Sequence, residues 1–107
     1  MNVWKPASIK GEPEVILSSW NVMRLLDGSK HFVGWNVMLR EGRVSSAIQE
    51  FDNSTMNGKT RSGRIYQLEG PSGHNGHANY VWTIWCKINK VDPGTAILVN
   101  EEFEHVV

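Results

Sequence analysis

His74 and His77 stand three residues apart in the segment 70–77, which holds three glycines and one proline, and Cys86 follows nine residues after His77. Two imidazoles and a thiolate are zinc-type ligands. Zinc, however, requires three or four ligands held in tetrahedral geometry. No Cys-x-x-Cys or His-Glu-x-x-His spacing accompanies them, and Cys86, one residue past Trp85, is placed to face away from the loop. The expectation is two exposed imidazoles, with Gly76 allowing a turn and His77 near a helix start, and with no metal and no cofactor.

Nucleophilic catalysis would need a Ser or Cys beside a base that a third group orients. Ser45, Ser46, Ser62 and Cys86 are the candidate nucleophiles, and His31, His74, His77 and His105 the candidate bases. No local signature pairs them. The carboxylates Glu41, Glu50, Asp52 and Glu69 read as solvated charge at strand ends, so an enzyme, either a small hydrolase or a metal enzyme using His74 and His77, is an alternative without a catalytic motif.

Arg40, Arg43, Lys59, Arg61 and Arg64 gather within 25 positions. Arg43, Arg61 and Arg64 could share one region of a sheet, with Tyr66 as a platform for a stacked base, which is the nucleic-acid alternative. Acidic residues alternate through the same span and cancel much of that field. Five tryptophans in 107 residues dominate the expected burial. Trp20 and Trp35 on a sheet, facing Trp82 and Trp85 on a helix, make a core between two layers, while an indole such as Trp35 could instead line a ligand pocket.

The elements that must position these residues follow from periodicity and turn chemistry. Residues 1–14 carry Pro6, Gly11 and Pro13 and read as a surface arm anchored by Trp4 and Ile9; residues 15–107 read as one domain. The run VILSSWNVMRLL fits both a helical and a strand period, and the Asp27-Gly28 turn after it favours a strand from about Ser19. A second strand spans 31–40, where Gly34 signals a bulge or a close approach. Glu41-Gly42 reads as the next turn, and 43–52 as a third strand with a bulge or crossing point at 45–47.

Residues 52–59 are a polar turn in which Asn57-Gly58 is the hairpin signal, and a fourth strand ends at Gly70-Pro71. Ala78, Val81, Trp82, Trp85, Ile88 and Val91 recur at helical spacing, predicting an amphipathic helix over 78–90 that Asp92-Pro93-Gly94 stops. Residues 95–100 suit a fifth strand. The predicted fold is a single α+β domain, a curled antiparallel sheet of four to five strands packed against one amphipathic helix.

Eleven basic and eleven acidic residues cancel, and the pI is near 6.9, so no net field draws the whole chain to nucleic acid or to an anionic membrane. A single cysteine excludes an intramolecular disulfide. No apolar run approaches the length of a membrane span or of a signal peptide, which makes the cytoplasm the expected location.

The stretch 60–70, with Gly42-Arg43-Val44-Ser45-Ser46 and Tyr80-Val81-Trp82-Thr83-Ile84-Trp85, resembles small bacterial proteins of unassigned activity carried on phages, plasmids and integron gene cassettes. The resemblance covers roughly half of the chain. It implies a bacterial, mobile-element origin and transfers no residue role. The sequence reading is thus a non-enzymatic binding protein. It would take a protein partner or small molecule at an edge built from the 70–77 loop, the 53–59 turn and nearby side chains, with Trp35, Arg43, Arg61, Arg64, Tyr66, His74 and His77 as candidate contacts. A homodimer also fits, because an antiparallel sheet has edges that must be paired or covered.

Overall fold

The structure, a computed structural model, describes residues 11–104; Trp4, Ile9 and His105 lie outside them. Its organising element is the 11-residue strand β1, Glu14–Arg24. Val15 and Leu17 point to one face and so do Trp20 and Val22, although the numbering changes parity between the two pairs. A bulge between Ser18 and Asn21, with Ser19 at φ +46°, absorbs the extra residue and restores the alternation. The same bulge explains why this stretch reads in two periods as a sequence.

The other strands are β2 (Lys30–Asn36), β3 (Glu41–Val44), β4 (Ile48–Asp52), β5 (Asn57–Thr60), β6 (Ile65–Leu68) and β7 (Ile97–Leu98). They form one seven-stranded sheet in the order β3-β2-β1-β6-β5-β4, with β7 paired to the end of β1. All pairs are antiparallel except β1 with β6, which is parallel. The sheet therefore has more strands than the four to five predicted.

The extra strands arise at turns placed differently from the sequence reading. Residues 37–40, not Glu41-Gly42, reverse the chain after β2, with Arg40 at φ +57°. Asn57-Gly58 opens β5 rather than forming the hairpin turn, because the reversal is completed at Met56, at φ +58°. The predicted third strand is two strands. Segment 45–47 carries the chain from β3, at one end of the sheet order, to β4, at the other.

That crossing closes the curl. In a flat sheet β2 and β5 would lie three strand spacings, roughly 14 Å, apart. Instead a Cβ on Gly58 would come within 2.5 Å of the Phe32 ring, so the inner face folds onto itself. The space inside is filled by Val15, Leu17, Trp20, Val22, Phe32, Tyr66 and Leu68, and Phe103 caps it with its ring 4.8 Å from that of Phe51 and 6.1 Å from that of Phe32.

Helix α1, Gly76–Ile88, packs on the outer face of the curl rather than inside it. Ala78, Trp82 and Cys86 lie against Val33, with Met23, Val44 and Trp85 beside them. Asn75 caps the helix, its Oδ1 accepting the Ala78 N–H at 2.9 Å. The first turn sits directly on β3, where a Cβ on Gly42 would meet Ala78 Cα and the His77 carbonyl oxygen at 2.7 Å each. The predicted fifth strand contracts to two residues flanked by short 3-10 turns at Pro93–Thr95 and Asn100–Glu102.

Candidate functional site

Arg43, Arg64 and Tyr66, expected to present a basic and aromatic surface, are inside the protein, at 6%, 6% and 1% exposure. On β3, Gly42 and Val44 face the helix, so the intervening Arg43 points into the curl. There its guanidinium pairs with the Glu12 carboxylate. Arg64 Nε donates to the Glu12 backbone oxygen at 2.7 Å and lies 3.9 Å from its Oε1. Asn36 Nδ2 donates to Glu12 Oε2 at 3.1 Å. Burial pushes the Tyr66 phenol above its ordinary pKa of 10.0, and the charges of Arg43 and Arg64 oppose that shift.

The arginine-bearing surface is therefore corrected: of the three arginines, Arg61 alone is exposed. Glu12, placed in a surface arm by its Pro and Gly neighbours, is the buried counter-ion, and β1 already begins at Glu14.

Trp35 is half-buried and packs edge-on against His77, with ring centroids 6.0 Å apart, while His77 stacks on Tyr80 at 6.1 Å. His77 Nδ1 accepts the Gly42 N–H at 2.8 Å, which assigns the neutral ring its proton on Nε2 and commits one ring nitrogen to holding the helix on β3. His74 instead rims a small cleft of about 110 Å³ with Asn21, Asn75 and Asn79, over a floor that includes Met23, Val33 and Trp82. Cys86 is buried on the sheet-facing side of α1, and burial pushes its thiol up to about 11. Among the described residues no three His, Cys, Asp or Glu side chains gather in a metal-binding group.

The larger opening lies on the other side of the same loop. A cleft of about 390 Å³ is lined by Trp20 and Leu68 from adjacent strands, Met56 from the 53–56 turn, Gly70, Pro71 and Ser72 from the loop, and Glu104. The loop is fastened to β1: Trp20 Nε1 donates to the Gly70 oxygen at 2.9 Å, and the Gly73 N–H donates to the Trp20 oxygen at 3.1 Å. Asn21 Nδ2 reaches the Gly73 oxygen at 2.8 Å. Gly70, at φ +69°, makes the turn out of β6. The polar rim is set by Ser72 Oγ donating to Glu104 Oε1 at 3.2 Å and by Asn53 Nδ2 donating to the Glu104 backbone oxygen at 3.2 Å.

Comparison of the chain with protein-family models, curated proteins and solved structures finds no match. No helix among the described residues is long and apolar enough to cross a membrane.

Of the residues nominated from sequence, His74 lines one of these two clefts and the others line neither; Trp35 and His77 belong to the helix-sheet contact. The structure also pairs a serine and histidine that sequence spacing did not single out. Ser29 Oγ lies 3.0 Å from His31 Nε2, and His31 Nδ1 lies 2.8 Å from the Ser45 carbonyl oxygen. The signal was present in Asp27-Gly28-Ser29-Lys30-His31, where a hairpin register puts alternate side chains on one face.

Proposed function

We propose that the chain is a binding protein whose ligand site is the cleft between the 53–56 turn and the loop 70–72, and that its ligand presents a compact apolar group carrying a cationic or N–H donor. The observation that carries this reading is the cleft of about 390 Å³, bounded by Trp20, Met56, Leu68 and Pro71, with one carboxylate among the described residues, Glu104, on its rim. Small-molecule sites run from roughly 300 to 1,000 Å³ and combine apolar walls with a few placed polar groups. A carboxylate accepts about four hydrogen bonds, so the Ser72 bond leaves Glu104 with capacity for a ligand donor.

The test compares phenethylamine with phenethyl alcohol by calorimetric titration of the wild type and of Glu104→Gln. The amine is expected to bind the wild type more tightly than the alcohol, and the variant to lose that difference. Equal binding of both, or the same amine preference in Glu104→Gln, would overturn the assignment.

A further inference from the structure

The β1–β2 hairpin holds a polar unit separate from the cleft. Asp27 Oδ1 accepts the Ser29 N–H at 2.8 Å and lies 2.6 Å from Ser29 Oγ. Ser29 Oγ lies 3.0 Å from Nε2 of His31, whose Nδ1 lies 2.8 Å from the Ser45 oxygen. His31 is 5% exposed, and its ring is tilted against Trp85 at 5.0 Å.

Counting protons decides what this chain of contacts can be. A carbonyl oxygen only accepts, so His31 Nδ1 carries a hydrogen. An ionised carboxylate also only accepts, so the 2.6 Å contact uses the single hydroxyl proton of Ser29. The remaining contact, Nε2 to Oγ, then needs a hydrogen on Nε2, which makes the ring an imidazolium. If the ring is neutral, Nε2 is a bare acceptor and the hydroxyl must turn towards it. The two oxygens of Asp27 and Ser29 are then left facing each other without a proton, and that contact must lengthen.

We propose that Asp27, Ser29 and His31 form a proton-coupled hydrogen-bond switch, in which the buried imidazole takes up one proton from solvent and the Ser29 hydroxyl changes its acceptor from Nε2 to the Asp27 carboxylate. One N–H bond forms on Nε2 with a proton from solvent, and the hydroxyl rotates without breaking its O–H bond. The charged groups facing the ring are Asp27 from the hairpin and Arg61 from the β5–β6 turn; α1 contributes the uncharged Trp85. Burial opposes uptake most strongly and Arg61 adds to it, while the Ser45 carbonyl and Asp27 favour it. Lys30 is engaged elsewhere, with Nζ 2.5 Å from Glu102 Oε1. Proton uptake fastens the hairpin tip, and release frees the Asp27 carboxylate from the hydroxyl.

The experiment is an NMR titration of the His31 ring nitrogens in the intact chain, in the wild type, Ser29→Ala and Asp27→Asn. The Asn side chain keeps an oxygen for the Ser29 N–H, and Ser29→Ala keeps the Asp27 turn, so both variants retain the hairpin. The wild-type ring is expected to pass from an Nδ1–H neutral form to an imidazolium. Both variants should move that midpoint to lower pH. An unchanged His31 midpoint in either variant, or a neutral ring with its proton on Nε2, would overturn the switch.

Discussion

Replacing Glu12 by Gln keeps the side chain's length and removes its charge. The carboxylate pairs with Arg43, accepts from Asn36 at 3.1 Å and lies 3.9 Å from Arg64 Nε, and the Glu12 and Arg43 side chains are only 9% and 7% exposed, so little water is present to take over. Among the described residues Arg43 Nη1 already lacks a hydrogen-bond partner. Removing one member of a buried ion pair costs about 3–5 kcal/mol, because the remaining charge is stranded. With a urea slope of about 1.5 kcal/mol/M for a domain of this size, the unfolding midpoint should fall by about 2–3 M.

Equilibrium urea unfolding followed by far-UV circular dichroism measures the change directly. The double variant Glu12→Leu with Arg43→Met should lose less than the single one, since replacing both charges by apolar groups avoids the stranded guanidinium. A Glu12→Gln variant within about 0.5 kcal/mol of wild type, the range of an ordinary surface substitution, would refute the buried-pair reasoning and return Glu12 to the surface.

Three further outcomes follow from the packing and the titratable groups. Gly42→Ala should cost about 1–3 kcal/mol by overpacking, because its Cβ meets backbone atoms of His77 and Ala78 at 2.7 Å; thermal unfolding reads the loss, and an unchanged Tm would mean the helix does not sit on β3. Burial lowers the His31 pKa from its ordinary 6.5, so the unfolded chain binds the proton more readily. Its contribution is complete above about pH 6.5 and declines as pH falls through that value, by at most about 1.4 kcal/mol per pH unit. Urea midpoints near pH 8 and near pH 5 should therefore differ more in wild type than in His31→Gln. Cys86, buried and with its thiol pushed up to about 11, should resist iodoacetamide at neutral pH in the folded chain and react once urea unfolds it; rapid native labelling would contradict its placement on the sheet-facing side of α1.

How much of this was legible depends on the range of the interactions. The helix was readable because Ala78, Val81, Trp82 and Trp85 recur on one stripe, and the first hairpin because Asp27-Gly28 carries its own turn chemistry, with Gly28 at φ +89°. Gly34 also announced a close approach, and a Cβ there would stand 3.1 Å from the Ser18 oxygen. The Ser19 bulge was hidden because a parity change within an apolar run looks like a mixed period. Strand β5 was hidden because Asn-Gly is a stronger local turn signal than Asn57–Thr60 is a strand signal.

The ion cluster could not be read from spacing: it joins Glu12, Arg43 and Arg64 through the closure of the curl. Without that closure, arginines alternating along strands look solvated. The cleft was half legible. Its loop and the 53–59 turn stood out by composition, but Trp20, Leu68 and Glu104 reach it only through the parallel pairing of β1 with β6 and the return of the chain after β7.

Binding at the 390 Å³ cleft is tested most directly by intermolecular nuclear Overhauser contacts between phenethylamine and the labelled protein. The prediction is contacts from the ligand's aromatic protons to the Met56 methyl and the side chains of Leu68 and Pro71, weakened on Glu104→Gln to the level that phenethyl alcohol gives. Contacts to Trp82 and Ala78 in the smaller cleft beside His74, or no contacts at saturating amine, would contradict it.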